Sequence, residues 1–191
     1  TEKEKRRELF RFLQRETGTV IVFVRTKDEA THLWRAIHAA GIHESTYISS
    51  NKAQMYREEA LQGFKEGKYR VMVATDVAGR GIHVENVGHV VNYDVPLEPE
   101  DYIHRIGRTG RKDADGNALT FAMRKERRLI DAIEKVLGKR VRSRATREYQ
   151  KQFGEEMDRP SFGRSERGSE GRRGGRGPPP GPLRPRRLRR E

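Results

Sequence analysis

The sequence predicts an α/β fold: a mostly parallel sheet covered by helices on both faces, followed by an unstructured basic tail. Three observations carry that reading. Apolar runs such as Val20-Ile21-Val22-Phe23-Val24 and Val71-Met72-Val73-Ala74 are rich in β-branched residues and do not alternate with polar ones, which suits strands buried on both faces. Between them lie amphipathic stretches with helical spacing. Strands and helices alternate through residues 1–138 with short connections, the pattern of a doubly wound parallel sheet.

The elements follow in order. Residues 3–16 read as a helix, with Leu9, Phe10 and Leu13 as an apolar stripe among charges, and Thr17-Gly18 ends it. The strand 20–24 leads into a helix over 28–40, with Ala30, Leu33, Trp34 and Ile37 inward; at that spacing Trp34 reads as core. Gly41 stops this helix, and Thr46-Tyr47-Ile48 is a short strand. Ser49-Ser50-Asn51 offers cap chemistry for a helix over 53–66, whose predicted inner side is Met55, Ala60, Leu61 and Phe64. A buried strand over 70–75 precedes a glycine-interrupted loop, 76–85, and then a strand over 87–93. Residues 98–107 read as helix, 118–123 as strand, and 125–137 as a helix closed by Gly138. In parallel sheets the working loops lie beyond the carboxyl ends of the strands. Thr26, Asn51, the 76–85 loop and Asp94 should therefore share one edge.

The composition splits. The 191 residues carry a net charge of +13, with 33% hydrophobic and 36% charged residues. Residues 159–191 contain eleven arginines, three glutamates, seven glycines and six prolines, which accounts for +8 and leaves +5 on residues 1–158. A compact domain of ordinary composition thus carries a disordered, Arg/Gly/Pro-rich tail, with 139–158 as an extension or linker. Cysteine is absent, which removes disulfides and thiolate metal sites and fits a reducing, cytoplasmic setting. No apolar run has the length of a membrane span. A pI near 10.3 points to a polyanionic partner, most simply nucleic acid.

One stretch concentrates the cations: His104-Arg105-Ile106-Gly107-Arg108-Thr109-Gly110-Arg111. Along a helix continued from residue 98, His104, Arg108 and Arg111 would fall on one face. Planar guanidinium forks that converge in this way grip phosphate oxygens bidentately. Taken alone, such a run is more often a solvated helix end.

Ala74-Thr75-Asp76-Val77-Ala78-Gly79-Arg80-Gly81-Ile82 followed by this basic octamer resembles motifs V and VI of the DEAD-box RNA helicases. Val22-Phe23-Val24-Arg25-Thr26 resembles motif IV, and Gln54-Met55-Tyr56-Arg57 the family's Gln-x-x-Arg element. The resemblance implies a RecA-like, phosphate-loop-NTPase-like three-layer sandwich, the second such domain of an ATP-dependent helicase. It implies that Arg108 and Arg111 are arginine fingers directed at ATP, worth roughly 10³–10⁵ in rate in related phosphoryl transfers. Gly81 and His83 would approach the nucleotide. His104, Arg105, Asp76 and Arg80 would join interdomain networks. Thr75, Arg57, Gln54 and Thr26 would lie against RNA. His83 stands where the family usually has an aspartate that contacts the ATP ribose; histidine can donate or accept one hydrogen bond there. Ser49-Ser50 replaces a common His-Gly pair.

The sequence contains no Gly-x-x-x-x-Gly-Lys-Ser/Thr phosphate loop and no Asp-Glu-Ala-Asp magnesium site. ATP with Mg²⁺ is therefore expected to be held by an N-terminal RecA-like domain of a longer chain, and this fragment alone to be inactive. The tail is expected to bind RNA through phosphates without sequence choice. Two other readings stand beside this one: a non-catalytic RNA-binding or annealing module or partner-docking platform, and a DNA-directed motor, which the leading histidine of the octamer disfavours.

Overall fold

Five parallel strands form one sheet in the order β2-β3-β1-β4-β5 in the computed structural model, which describes residues 1–50, 52–79, 84, 87–110 and 117–142. The strands are β1 (Val20–Val24), β2 (Ser45–Ile48), β3 (Val71–Thr75), β4 (His89–Asn92) and β5 (Asn117–Thr120). The helices are α1 (Glu2–Arg15), α2 (Lys27–Ala39), α3 (Gln54–Lys65), α4 (Asp76–Gly79), α5 (Pro99–Ile106) and α6 (Arg127–Leu137). Residues Thr1–Val141 make one compact unit.

The layers follow from the two-residue period of a strand. Val20, Val22 and Val24 of β1 pack with Leu9 and Leu13 of α1 and with Ala30, Leu33 and Ile37 of α2. Ile21 and Phe23, with Met72 and Ala74 of β3, pack with Ala60 and Phe64 of α3. Every residue of β1 and β3 is buried, as their uninterrupted apolar runs require. A smaller cluster of Val95, Tyr102 and Ile133 fastens α6 to α5. Trp34 packs against the first cluster, donates from Nε1 to the Ser45 carbonyl at 3.1 Å, and stacks on Tyr47 with centroids 4.9 Å apart.

Local chemistry sets the helix ends. The Thr1 hydroxyl accepts from the Glu4 amide and the Glu4 side chain reaches back to residue 1, a capping box that starts α1. The Thr26 hydroxyl accepts from the Glu29 amide at 3.2 Å and caps α2.

Several expectations need correction. Helix α3 begins at Gln54, and Met55 is exposed, so it is not an inward residue. The 76–85 loop opens with a short helix, α4. Strand β4 is shorter than 87–93: Val87 makes an isolated bridge to Thr109, and the chain bends at Gly88. Strand β5 ends at Thr120 where Met123 was expected, and a 3-10 turn, Arg124–Glu126, precedes α6. Helix α5 stops at Ile106, so Arg108 does not continue the face of His104. Asn51 and the predicted tail, 159–191, lie outside the described residues, as does most of the 139–158 extension. No helix among the described residues is long and apolar enough to cross a membrane.

Candidate functional site: a guanidinium fork at the strand ends

Because all five strands are parallel, their carboxyl ends meet at one edge of the sheet. Thr26 follows β1, Thr75 ends β3, Asp76 opens α4, and Asp94 lies just beyond β4. Helix α5 lies over this edge and brings Arg105 to its centre. Arg105 Nε and Nη2 donate to the two carboxylate oxygens of Asp76, both at 2.6 Å. Nη1 donates to Asn92 Oδ1 at 3.0 Å and to the Asp94 carbonyl at 2.8 Å. The guanidinium also sits 5.1 Å from the centroid of the Phe23 ring, within cation–π range. Arg105 is 3% exposed, so its charge is removed from water. A buried cation is tolerated only when it is well paired, and here each of the three guanidinium nitrogens has an acceptor.

Past α5 the chain turns. Gly107 caps the helix, and the Thr109 hydroxyl donates to the Val87 carbonyl, while the Val87 amide donates to the Arg108 carbonyl at 3.2 Å. These bonds explain why the helix ends early: a buried Thr109 is bound to Val87 in a short parallel bridge. Gly110 follows with φ +73, the left-handed region that glycine enters without a Cβ clash. Arg108 is half-buried within this clamped turn. His104 points outward, 67% exposed, with Nδ1 3.9 Å from Asp101 Oδ1. Arg111, Arg80, Gly81 and His83 lie outside the described residues.

The residues expected to meet RNA fall in two places. Thr75 is buried at the end of β3, beside Asp76, and Thr26 is exposed at the cap of α2. In the first turn of α3, Arg57 Nη1 donates to Gln54 Oε1 at 3.0 Å and Gln54 Nε2 to Glu58 Oε1 at 2.7 Å. Arg57 is half-buried rather than fully exposed, and its Nε has no hydrogen-bond partner among the described residues.

Behind the edge lies a second ionic group. Lys5 Nζ is 3.3 Å from Asp94 Oδ1 and 3.6 Å from Glu126 Oε2, with all three side chains nearly buried. Arg25 donates its amide to Asp94 Oδ2 at 3.0 Å and its Nη2 to Glu126 Oε1 at 3.2 Å. Burial and a hydrogen bond shared with Asp94 push the Glu29 carboxyl up to about 7. Burial would raise Asp94 as well, but the bonds from Glu29, the Arg25 amide and Lys5 outweigh it and hold Asp94 below the usual carboxylate range. Among the described residues, no three His, Cys, Asp or Glu side chains converge as a metal cluster.

The family profile described as the helicase conserved C-terminal domain matches residues 4–113, more than half of the chain. The chain belongs to that family. Its helicase C-terminal domain is 44% identical over 122 residues to the ATP-dependent RNA helicase RhlB of Pseudomonas syringae pv. tomato, covering 64% of this chain and 30% of the relative. It is 43% identical over 141 residues to the ATP-dependent RNA helicase CshA of Listeria monocytogenes, covering 73% of this chain and 27% of the relative. The chain thus spans under a third of the length of these relatives. Among solved structures, the E. coli DEAD-box protein SrmB bound to regulator of ribonuclease activity A matches with a TM-score of 0.72 and 34% identity, over 78% of this chain and 87% of that one. S. cerevisiae Dbp5 bound to RNA and ADP BeF3 matches with a TM-score of 0.68 and 34% identity, over 74% and 39% of the two chains. The fold is that of the C-terminal RecA-like domain of DEAD-box helicases.

In this helicase C-terminal domain, motifs V and VI are joined among the described residues by the pair Asp76 with Arg105. Arg105 spends four hydrogen bonds inside the domain. Three contacts were not anticipated: Asn92 and Phe23 against Arg105, and, apart from them, the Val87–Thr109 bridge. A single asparagine ending a Val-Val run was the only signal for the first, and nothing local marked the other two.

Proposed function

We propose that this chain is the C-terminal half of an ATP-dependent RNA helicase. It contributes arginine fingers to ATP held by an N-terminal RecA-like domain, and it grips RNA backbone so that cleft closure bends one strand and separates short duplexes. The observation that carries the reading is the buried Asp76–Arg105 fork. It joins the strand end that bears Thr75 to the helix whose exit turn bears Arg108.

Arg108 and Arg111 are assigned to the phosphates as fingers, and Gly81 and His83 to the nucleoside. Mg²⁺, held by the other domain, would neutralise the β/γ-phosphate oxygens. The clamped turn at Val87–Thr109 holds the Arg108 backbone in place, so that a finger need not be ordered during the reaction. His104, outward on α5, is assigned to the facing domain together with Arg80. Arg105 and Asp76 serve that interface from beneath. Thr75, Thr26, Gln54 and Arg57 are assigned to RNA phosphates, contacts that fix register and orientation without reading sequence. Residues 1–138 form the domain, 139–158 an extension, and 159–191 a tethering tail whose RNA affinity falls steeply with salt.

The test is turnover. The chain alone should hydrolyse no ATP, and the chain joined to a phosphate-loop RecA-like domain should show RNA-stimulated hydrolysis. RNA binding without any stimulation in the joined protein would favour a non-catalytic RNA-binding module. Stronger stimulation by DNA would favour a DNA-directed motor.

A further inference from the structure

We infer that Asn92 is a positioning residue for the helicase reaction: it fixes the orientation of the Arg105 fork, so that the RNA-side strand end and the finger-bearing turn act as one body. This rests on the helicase reading above.

Asn92 is fully buried at the carboxyl end of β4, after Val90 and Val91. An amide there is a poor choice for the sheet alone, where a third valine would bury more apolar surface and carry no desolvation cost. Its geometry gives the reason. Oδ1 accepts from Arg105 Nη1 at 3.0 Å and Nδ2 donates to Thr120 Oγ1 at 3.1 Å. A guanidinium is donor-only, so the Arg105 contact fixes which end of the amide faces it. The neighbouring Asp94 carbonyl takes a second Nη1 bond at 2.8 Å. With Nη1 held by β4, the Nε–Nη2 edge faces the Asp76 carboxylate and forms the bidentate pair. The Thr120 bond adds β5, the strand that follows residues 111–116 and hence Arg111. Asn92 therefore touches no ligand. It acts through Arg105.

The test compares three variants in the chain joined to a phosphate-loop RecA-like domain. Asn92→Val removes the acceptor and suits a buried strand; RNA-stimulated kcat should fall at least ~10-fold while KM for ATP stays within ~3-fold. Asn92→Asp keeps an acceptor for Arg105 and should restore kcat to within ~3-fold of the unsubstituted protein. Thr120→Val removes only the second bond and should also stay within ~3-fold. In parallel, NMR of the 191-residue chain should show separate, slowly exchanging Arg105 Nη signals that merge in Asn92→Val. Should Asn92→Val lack a dispersed amide spectrum, Asn92→Leu, close to asparagine in shape and without an acceptor, takes its place in both measurements. The proposal is overturned if the variant lacking the acceptor keeps its RNA-stimulated kcat, or if all three variants lose activity in step with their melting temperatures. If the unsubstituted joined protein shows no RNA stimulation, the helicase reading itself fails and this inference falls with it.

Discussion

Replacing Asp76 by alanine removes one side of the fork and leaves a nearly buried guanidinium facing a gap. Two charge-assisted bonds of 2.6 Å disappear, and Arg105 retains Asn92 Oδ1 and the Asp94 carbonyl. Breaking a buried ion pair on one side costs about 3–5 kcal/mol. Two features lower that figure here: Asp76 is 25% exposed, so water can reach the vacated site, and the surviving acceptors keep half the fork satisfied. The expected loss is about 2–3 kcal/mol, a large fraction of the stability of a typical domain. For a unit of this size it should lower Tm by roughly 6–12 °C. Urea unfolding followed by the fluorescence of Trp34, the only tryptophan, measures it directly. A double-mutant cycle with Arg105→Met isolates the pair, and its coupling should reach about 2 kcal/mol. Losses below about 0.5 kcal/mol, or additive effects in the cycle, would show that the fork is not what joins α4 to α5.

Glu29 and Thr109 give two further outcomes. Glu29 has its folded pKa raised to about 7 from 4.5, so the folded protein holds a proton there that the unfolded chain releases. Its contribution to stability is complete below pH 4.5 and is lost as pH rises through 7; Glu29→Gln should therefore be more stable than the parent at pH 8, by about 1 kcal/mol after allowance for solvent screening, with the advantage gone at pH 4.5. A melting-temperature series from pH 4.5 to 8 with no change in the difference would refute this. Thr109→Val deletes the buried bond to the Val87 carbonyl and should cost about 1–2 kcal/mol. Hydrogen exchange of the Val87 amide, bound to the Arg108 carbonyl, should accelerate more than that of β1 amides; equal acceleration would mean the turn is not a local clamp.

Much of the layered fold was legible because its strands are unusually plain. A run such as Val20–Val24 can be buried on both faces and little else, and the flanking caps at Thr1 and Thr26 are local chemistry. What escaped was set by distant partners. Thr109 ends α5 because Val87, far back in the sequence, binds it; periodicity alone would have carried the helix onward through Arg108. Lys5 reads as one more charge on a polar helix, yet it is buried against Asp94 and Glu126. Met55 groups by type with the inner side, but five residues before Ala60 at about 100° per residue it falls on the opposite face of α3. Motifs V and VI were visible as residue patterns. Their meeting point was not, since nothing local tells that Asp76 and Arg105 close on each other with Asn92 behind them.

The central claim is that this chain supplies half of an ATP site. It is tested most directly by single-turnover hydrolysis of ATP in the chain joined to a phosphate-loop RecA-like domain, with saturating RNA, comparing the parent with Arg108→Ala and Arg111→Ala. The account predicts that each substitution lowers the hydrolysis rate by ~10³-fold or more while RNA remains bound. Hydrolysis at the parent rate in both variants would contradict it.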